Sequence, residues 1–153
     1  MIDGPSGNDG SLRPNQLFAV SLQHSPIEAT RQKAVVDICA RRLLTSHGLR
    51  SLAPDHPDYH PSYGGDVVAR DSAYHQGTVW GWLVGSFVSA HLRVYDDKKA
   101  ARQFLAPLLE HLHGAGLGTI SEIFDGDPPF TPRGCFAQAW SVAEVLRALE
   151  QTL

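Results

Sequence analysis

The sequence predicts an all-α fold, and three observations point to it. Apolar residues recur at helical spacing in five segments, helix start and stop signals flank several of them, and no run alternates apolar and polar residues as a half-buried strand would. The connections Leu49 to Tyr74 and Gly114 to Cys135 are much longer than ordinary loops. Helices joined at their ends by long polar loops describe an α/α toroid, in which the loops of one rim build a cleft.

The first helix is short, Asn15 to Ser21, entered through Arg13-Pro14. The second opens with Ser25-Pro26-Ile27-Glu28, which reads as an N-cap serine, proline at the first helical position and glutamate at the third, a capping box. Its buried stripe would use Ile27, Val35, Ile38 and Leu43, with Gly48 as the stop. The third runs from about Gln76 to Val94 and carries Trp80, Leu83, Val84, Phe87, Val88 and Leu92, with Val79 and Trp82 flanking. An apolar arc this wide, with Gly77, Gly81 and Gly85 spaced four apart, suits a helix packed closely on several sides. The fourth begins near Asp96-Asp97, and Pro107 inside it predicts a kink or a break. The fifth, about Phe136 to Leu153, sets Trp140, Ala143, Leu146 and Leu149 at helical spacing.

Composition narrows the classes of function. Hydrophobic residues make up 42% of the 153-residue chain and charged residues 19%, too apolar a balance for a disordered segment. The net charge is −3 and no basic run exists, which argues against a nucleic-acid-binding face. Cys39 and Cys135 lie far apart and define neither a disulfide framework nor a cysteine metal site. The opening MIDGPSGNDG lacks the basic and apolar regions of a signal peptide, and Val79 to Ala90 is too short to cross a bilayer. The expected location is cytoplasmic.

Four stretches carry candidate chemistry. In GLGTISEIFDGDPPFTPRGC, Glu122 sits between Ser121 and Ile123 with Phe124 close by, a setting suited to a general base, or an acid with a raised pKa. Asp125 and Asp127, on either side of Gly126, read better as turn residues. In YGGDVVARDSAYHQGTVWGW, Asp66, Arg70, Asp71, His75 and Gln76 offer hydrogen bonds to hydroxyls, while Trp80 and Trp82 offer flat apolar faces. That mixture suits a neutral polyol, although an Arg70–Asp71 ion pair and core tryptophans explain the same residues as well. Arg13, Asn15 and Gln16 precede the first helix, where a cap by Asn15 or Ser11 is the plain alternative, and Gln138 with Trp140 form a weaker fourth signal. His56 and His60 are four apart, but Pro57 and Pro61 oppose a helix there and HExxH is absent, so no metal site is expected. No GxSxG or phosphate loop occurs.

Taken together, NDGSLRPNQLFAVS, YGGDVVARDSAYHQGTVWGW, GTISEIFDGDPPFTPRGC and AQAWSVAEVLRAL resemble the C-terminal part of bacterial glycogen debranching enzymes of the amylo-α-1,6-glucosidase type. Members of that family carry this region in an (α/α)6 barrel related to glucoamylase-like glycosidases. They hydrolyse the α-1,6-linked glucose at a branch stub, with inversion and without a cofactor. The resemblance implies Glu122 as general base, with Arg13, Asn15, Gln16, Asp71, His75, Gln76 and Trp80 at the glucose-binding rim. Trp80-Gly81-Trp82 departs from the family's usual WPW.

The resemblance also implies an acid supplied by an aspartate upstream of this chain, and neither Asp66 nor Asp71 matches its position. Five helical segments fall short of a closed barrel, so the expectation is a partial (α/α)6 domain spanning 1–153, read from an internal start in a longer frame. Its partners would be an α-glucan such as glycogen limit dextrin, and either the missing barrel portion or a second copy. A non-catalytic carbohydrate-binding or interaction module is the alternative.

Overall fold

A computed structural model describes Gly7 and residues 9–153. It contains seven helices and a five-stranded antiparallel sheet among the described residues, in the order α1 (Gln16–Ser21), α2 (Ala29–Arg42), β1 (Leu44–Thr45), β2 (Gly48–Arg50), α3 (Val67–Ala73), β3 (Val79–Trp80), α4 (Leu83–Tyr95), α5 (Lys98–Gln103), α6 (Ala106–His111), β4 (Ile123–Phe124), β5 (Pro132–Arg133) and α7 (Ala139–Gln151). The all-α toroid expected from the sequence is therefore corrected to a mixed fold. The physical reason is strand length: each strand has two or three residues, too few for an alternating pattern to register.

The sheet follows chain order, β1-β2-β3-β4-β5. Leu49 pairs with Trp80 and Arg50 with Val79, while Trp80 pairs on its other side with Ile123 and Val79 with Phe124. Strands β2, β4 and β5 lie in the two segments that the sequence presents as long loops. Those segments are also tied to each other: Tyr63 N–H donates to Asp125 Oδ1 at 2.9 Å, Gly126 N–H to the Pro61 carbonyl at 2.6 Å, and Arg50 Nε to the Gly126 carbonyl at 2.7 Å.

Helix α4 is the centre of the molecule. It packs against α1 and α7, with α2 and α5 also touching it. Leu83, Phe87 and Ala90 join Leu17, Val20, Val36 and Cys39 in one core cluster. Val84 and Val88 face a second cluster with Ala101, Leu105, Leu108, Val145 and Ala148. The wide apolar arc is thus used on two sides, as the sequence requires of a helix enclosed by neighbours.

Local departures have identifiable causes. The predicted helix from Gln76 begins only at Leu83, because Val79-Trp80 is committed to the sheet and Gly77 has φ +147°, where the chain cannot continue a helix. A Cβ at Gly77 would lie 2.7 Å from the His60 carbonyl oxygen and against the Tyr59 ring. The capping box at Ser25 does not form: α2 starts at Ala29, and Ser25 Oγ instead donates to the Ala19 carbonyl at 2.6 Å and accepts from Ile27 N–H at 3.2 Å. The break at Pro107 is present, with α5 ending at Gln103 and the proline at the start of α6. On α7 the buried residues are Ser141, Val145 and Ala148, and Leu149 packs against the second cluster, whereas Trp140 is 45% and Leu146 62% exposed.

Replacing Gly77 with alanine tests the break before β3. Positive φ and the contact with His60 together should lower unfolding free energy by about 2–3 kcal/mol, read as a lower urea midpoint with unchanged slope. A midpoint within error of the parent would show that the segment relaxes freely.

Candidate functional site

One group of aromatic side chains gathers around Trp80 and Trp82. His75 stacks flat on Trp80, with centroids 4.8 Å apart and planes within 4°. Trp82 stacks on Trp140 at 4.8 Å, Phe18 on Trp82 at 5.7 Å, and Trp80 meets Trp140 edge-on at 6.1 Å. Each ring comes from a different kind of support: Trp80 from β3, Trp82 from the turn into α4, Trp140 from the first turn of α7 and Phe18 from α1. They enclose a cleft of about 290 Å³ lined by Arg13, Pro14, Asn15, Ser51, His75, Trp80, Trp82, Leu83 and Trp140.

Arg13 organises the rim of this cleft. Its Nη1 donates to the His75 carbonyl at 2.8 Å and to the Ser51 carbonyl at 3.2 Å, and its Nη2 to Gln76 Oε1 at 2.7 Å. One guanidinium therefore holds the β2 exit to the turn before β3, a fork that lysine cannot reproduce. Gln16 Nε2 returns to the Arg13 carbonyl at 2.9 Å. Desolvation, and next the Arg13 charge, hold the His75 imidazole below its ordinary range.

Glu122 sits immediately before β4 and is half-buried. Its Oε1 accepts from the Tyr74 hydroxyl at 2.5 Å and from Gln138 Nε2 at 3.1 Å; its Oε2 accepts from Cys135 N–H at 2.9 Å. All three partners are donors, the complement that an ionised carboxylate takes. Glu122 does not line the 290 Å³ cleft itself. It adjoins the cleft through Tyr74, whose ring lies 4.8 Å from His75 and 4.9 Å from Trp80. Burial, and secondarily the bond to Glu122, push the Tyr74 phenol well above its ordinary value.

The sequence-derived candidates divide accordingly. Arg13, Asn15, His75, Trp80, Trp82 and Trp140 come together in the cleft, and Gln138 meets Glu122. Gln76 and Gln16 are engaged by Arg13, while Gln16 also faces a neighbouring hollow with Asp9 and Ser11. Asp71 lies exposed on α3 outside the cleft lining. Asp125 is gripped by Arg133 through Nε at 3.1 Å and Nη2 at 3.0 Å and accepts from Tyr63 N–H, and Asp127 accepts from the Tyr59 hydroxyl at 3.0 Å. Both aspartates hold the loop rather than facing the cleft. Asp66 caps α3 by accepting from Ala69 N–H. Sequence reasoning missed Tyr74, Ser51 and the Cys135 amide. Tyr74 stood inside the AYHQGTVW stretch, and its hydroxyl was the available signal.

An apolar aromatic wall with a guanidinium, an imidazole and amides at its edge can take a neutral polyhydroxylated ring, and a carboxylate beside it can accept a proton. Among the described residues no group of three or more metal-ligating side chains converges, and no helix is long and apolar enough to cross a membrane.

The amylo-alpha-1,6-glucosidase family model matches residues 1–147, and the chain belongs to that family. It is also similar to the glycogen debranching enzyme of Saccharomyces cerevisiae, with 33% identity over 95 residues. That match covers 57% of this chain and 6% of the yeast protein, so the chain spans a small part of its relative's length.

Three histidines, one buried and two half-buried, give a pH prediction. His111 is 8% exposed and its Nε2 lies 3.1 Å from Ser121 Oγ, next to Glu122. Burial lowers His111, His47 and His91 below the 6.5 of a free imidazole. The folded chain thus resists protons that the unfolded chain binds as pH falls through 6.5. Stability should be full above about pH 7 and decline toward about pH 5, seen as falling urea midpoints. His111→Gln should flatten that decline, and an unchanged slope would remove His111 from the account.

Proposed function

We propose that this chain is the C-terminal portion of a bacterial-type glycogen debranching glycosidase that releases α-1,6-linked glucose from branch stubs of an α-glucan such as glycogen limit dextrin. Glu122 is the general base. Arg13, Asn15, Gln16, His75, Gln76, Trp80, Trp82, Gln138 and Trp140 form or frame the sugar site, while Asp71, exposed on α3, would reach a sugar only from outside the cleft. The observation that carries this reading is the three-donor cradle around Glu122 beside an aromatic cleft, in a chain of the amylo-alpha-1,6-glucosidase family.

The chemistry is inversion. An inverting glycosidase needs an acid to protonate the leaving oxygen and a base to activate water, with carboxyl groups roughly 6.5–9.5 Å apart. The cleft lining contains no carboxylate, and the nearby aspartates Asp125 and Asp127 are occupied. That supports an acid supplied by polypeptide outside this chain and little hydrolysis by the chain alone. The 6% coverage of the yeast relative and the exposed apolar face of α7 are in keeping with a larger catalytic domain. A cytoplasmic location fits a glycogen substrate.

A second reading, a carbohydrate-binding module without catalysis, is favoured by the same lack of a second carboxylate in the cleft. The two separate by experiment. Genomic sequence upstream of Met1 should continue in frame, or across a frameshift, into the remaining domain with an aspartate acid. The protein expressed from that longer frame should release glucose from phosphorylase limit dextrin, and Glu122→Gln should lower the rate by about 10²- to 10⁴-fold. Equal release by both forms removes Glu122 as base. Maltooligosaccharide binding without any upstream continuation establishes the module instead.

A further inference from the structure

Carboxylate oxygens each offer about two acceptor positions, and the positions of Glu122 are unevenly filled. Both bonds to side chains, from Tyr74 Oη and Gln138 Nε2, converge on Oε1. Oε2 takes only the Cys135 amide. Gly134, at φ +66°, lets the loop pass close to Glu122, since an added Cβ there would run into Oε2. Cys135 N–H and Gly134 therefore act together: one fixes Oε2 and the other lets the loop come near enough for that bond, with one acceptor position of Oε2 unfilled among the described residues.

Tyr74 is equally constrained. Its carbonyl accepts from Thr78 Oγ1 at 2.6 Å and from Trp80 Nε1 at 3.2 Å, and its ring packs between Tyr63, His75 and Trp80. The phenol is not a free donor that happens to reach the carboxylate. It is delivered there by the same turn that places the aromatic wall.

We infer that Tyr74 is a positioning residue that saturates Oε1 of Glu122 and so makes Oε2 the atom that accepts the proton. This rests on the reading of Glu122 as base. In the reaction, a water O–H bond breaks and its proton passes to Oε2. The water oxygen bonds to the anomeric carbon as the glycosidic C–O bond breaks. The leaving oxygen takes its proton from the carboxylic acid supplied outside this chain. Tyr74 keeps its own proton throughout, because its hydroxyl is committed as a donor.

Proton NMR of the chain itself tests this. A slowly exchanging downfield hydroxyl signal is expected, lost in Tyr74→Phe and moved upfield in Glu122→Gln, since a neutral amide oxygen is a weaker acceptor. In Tyr74→Phe, which keeps the ring, the Glu122 side-chain methylenes should lose order and average between rotamers, while the thermal midpoint changes little. A purely structural tyrosine would shift the midpoint and leave Glu122 ordered, which overturns the proposal. A hydroxyl signal insensitive to Glu122→Gln overturns it as well, and that variant serves if Tyr74→Phe does not fold. Failure of the base reading is separate: it appears as equal glucose release by Glu122→Gln in the longer protein, while the hydroxyl and order signals still decide the role of Tyr74.

Discussion

The two-residue strand Val79–Trp80 is the constraint on which the site depends. It pairs on both edges at once, with Leu49 and Arg50 on one side and Ile123 and Phe124 on the other. Those partners belong to segments far apart in sequence and otherwise irregular. Pairing both to one strand sets the level at which Trp80 meets the cleft and at which Glu122, the residue before β4, stands beside it. The link continues past the strand, where Gly81 N–H reaches the Glu122 carbonyl at 3.5 Å and Glu122 N–H donates to the Cys135 carbonyl at 2.8 Å. A sheet this small cannot be stable by itself. Its rigidity comes from burial: Leu49, Val79, Ile123 and Phe124 are fully enclosed against the helices.

The polar groups divide into those that build and those that remain available. Arg13 spends its fork on two carbonyls and the Gln76 amide, and Asp125 spends its carboxylate on Arg133 and Tyr63. Such groups fix backbone and have little left for a ligand. Asn15, Trp82 and Trp140 line the cleft, with Trp82 stacked between its aromatic neighbours and Trp140 partly exposed. This division explains how a largely apolar hollow can orient a polyol: a few free polar atoms at the edge give direction, and the aromatic floor supplies contact area. Glu122 is held by three donors, two of them on Oε1 and one on Oε2.

How much of this could be read from sequence depends on the range over which each feature is encoded. Helix α1, the break at Pro107 and the two-sided burial of α4 follow from residues a turn or two apart, and they are present. The motifs carrying Arg13, His75, Trp80 and Trp140 could be picked out by residue type, and the structure brings them into one cleft. The sheet was illegible because its information lies between segments: Leu49 and Trp80 pair across a long loop, and neither flanking stretch alternates. The apolar residues Val79 and Trp80 fit a helical arc as well as a strand, and only the positive φ at Gly77 separates the two. Ser25 shows a related limit. Its pattern matches a capping box, but its hydroxyl finds the Ala19 carbonyl first, and the helix starts later.

Helix α7 shows how packing selects an inward face that spacing alone leaves open, with a consequence for the site. Its sequence is apolar on two faces, so periodicity alone cannot choose between Trp140, Ala143 and Leu146 or Ser141, Val145 and Ala148. Packing chooses. Helix α7 approaches α4 closely at Gly85, where the Glu144 side chain lies directly over the glycine. At that spacing a small or β-branched residue fits between the helices and an indole does not. Ser141, Val145 and Ala148 therefore turn inward, and Trp140 is forced to the outer edge. There it stacks on Trp82 and meets Trp80, closing the wall of the cleft. The close contact that denies Trp140 a place in the core is what makes it available to a ligand.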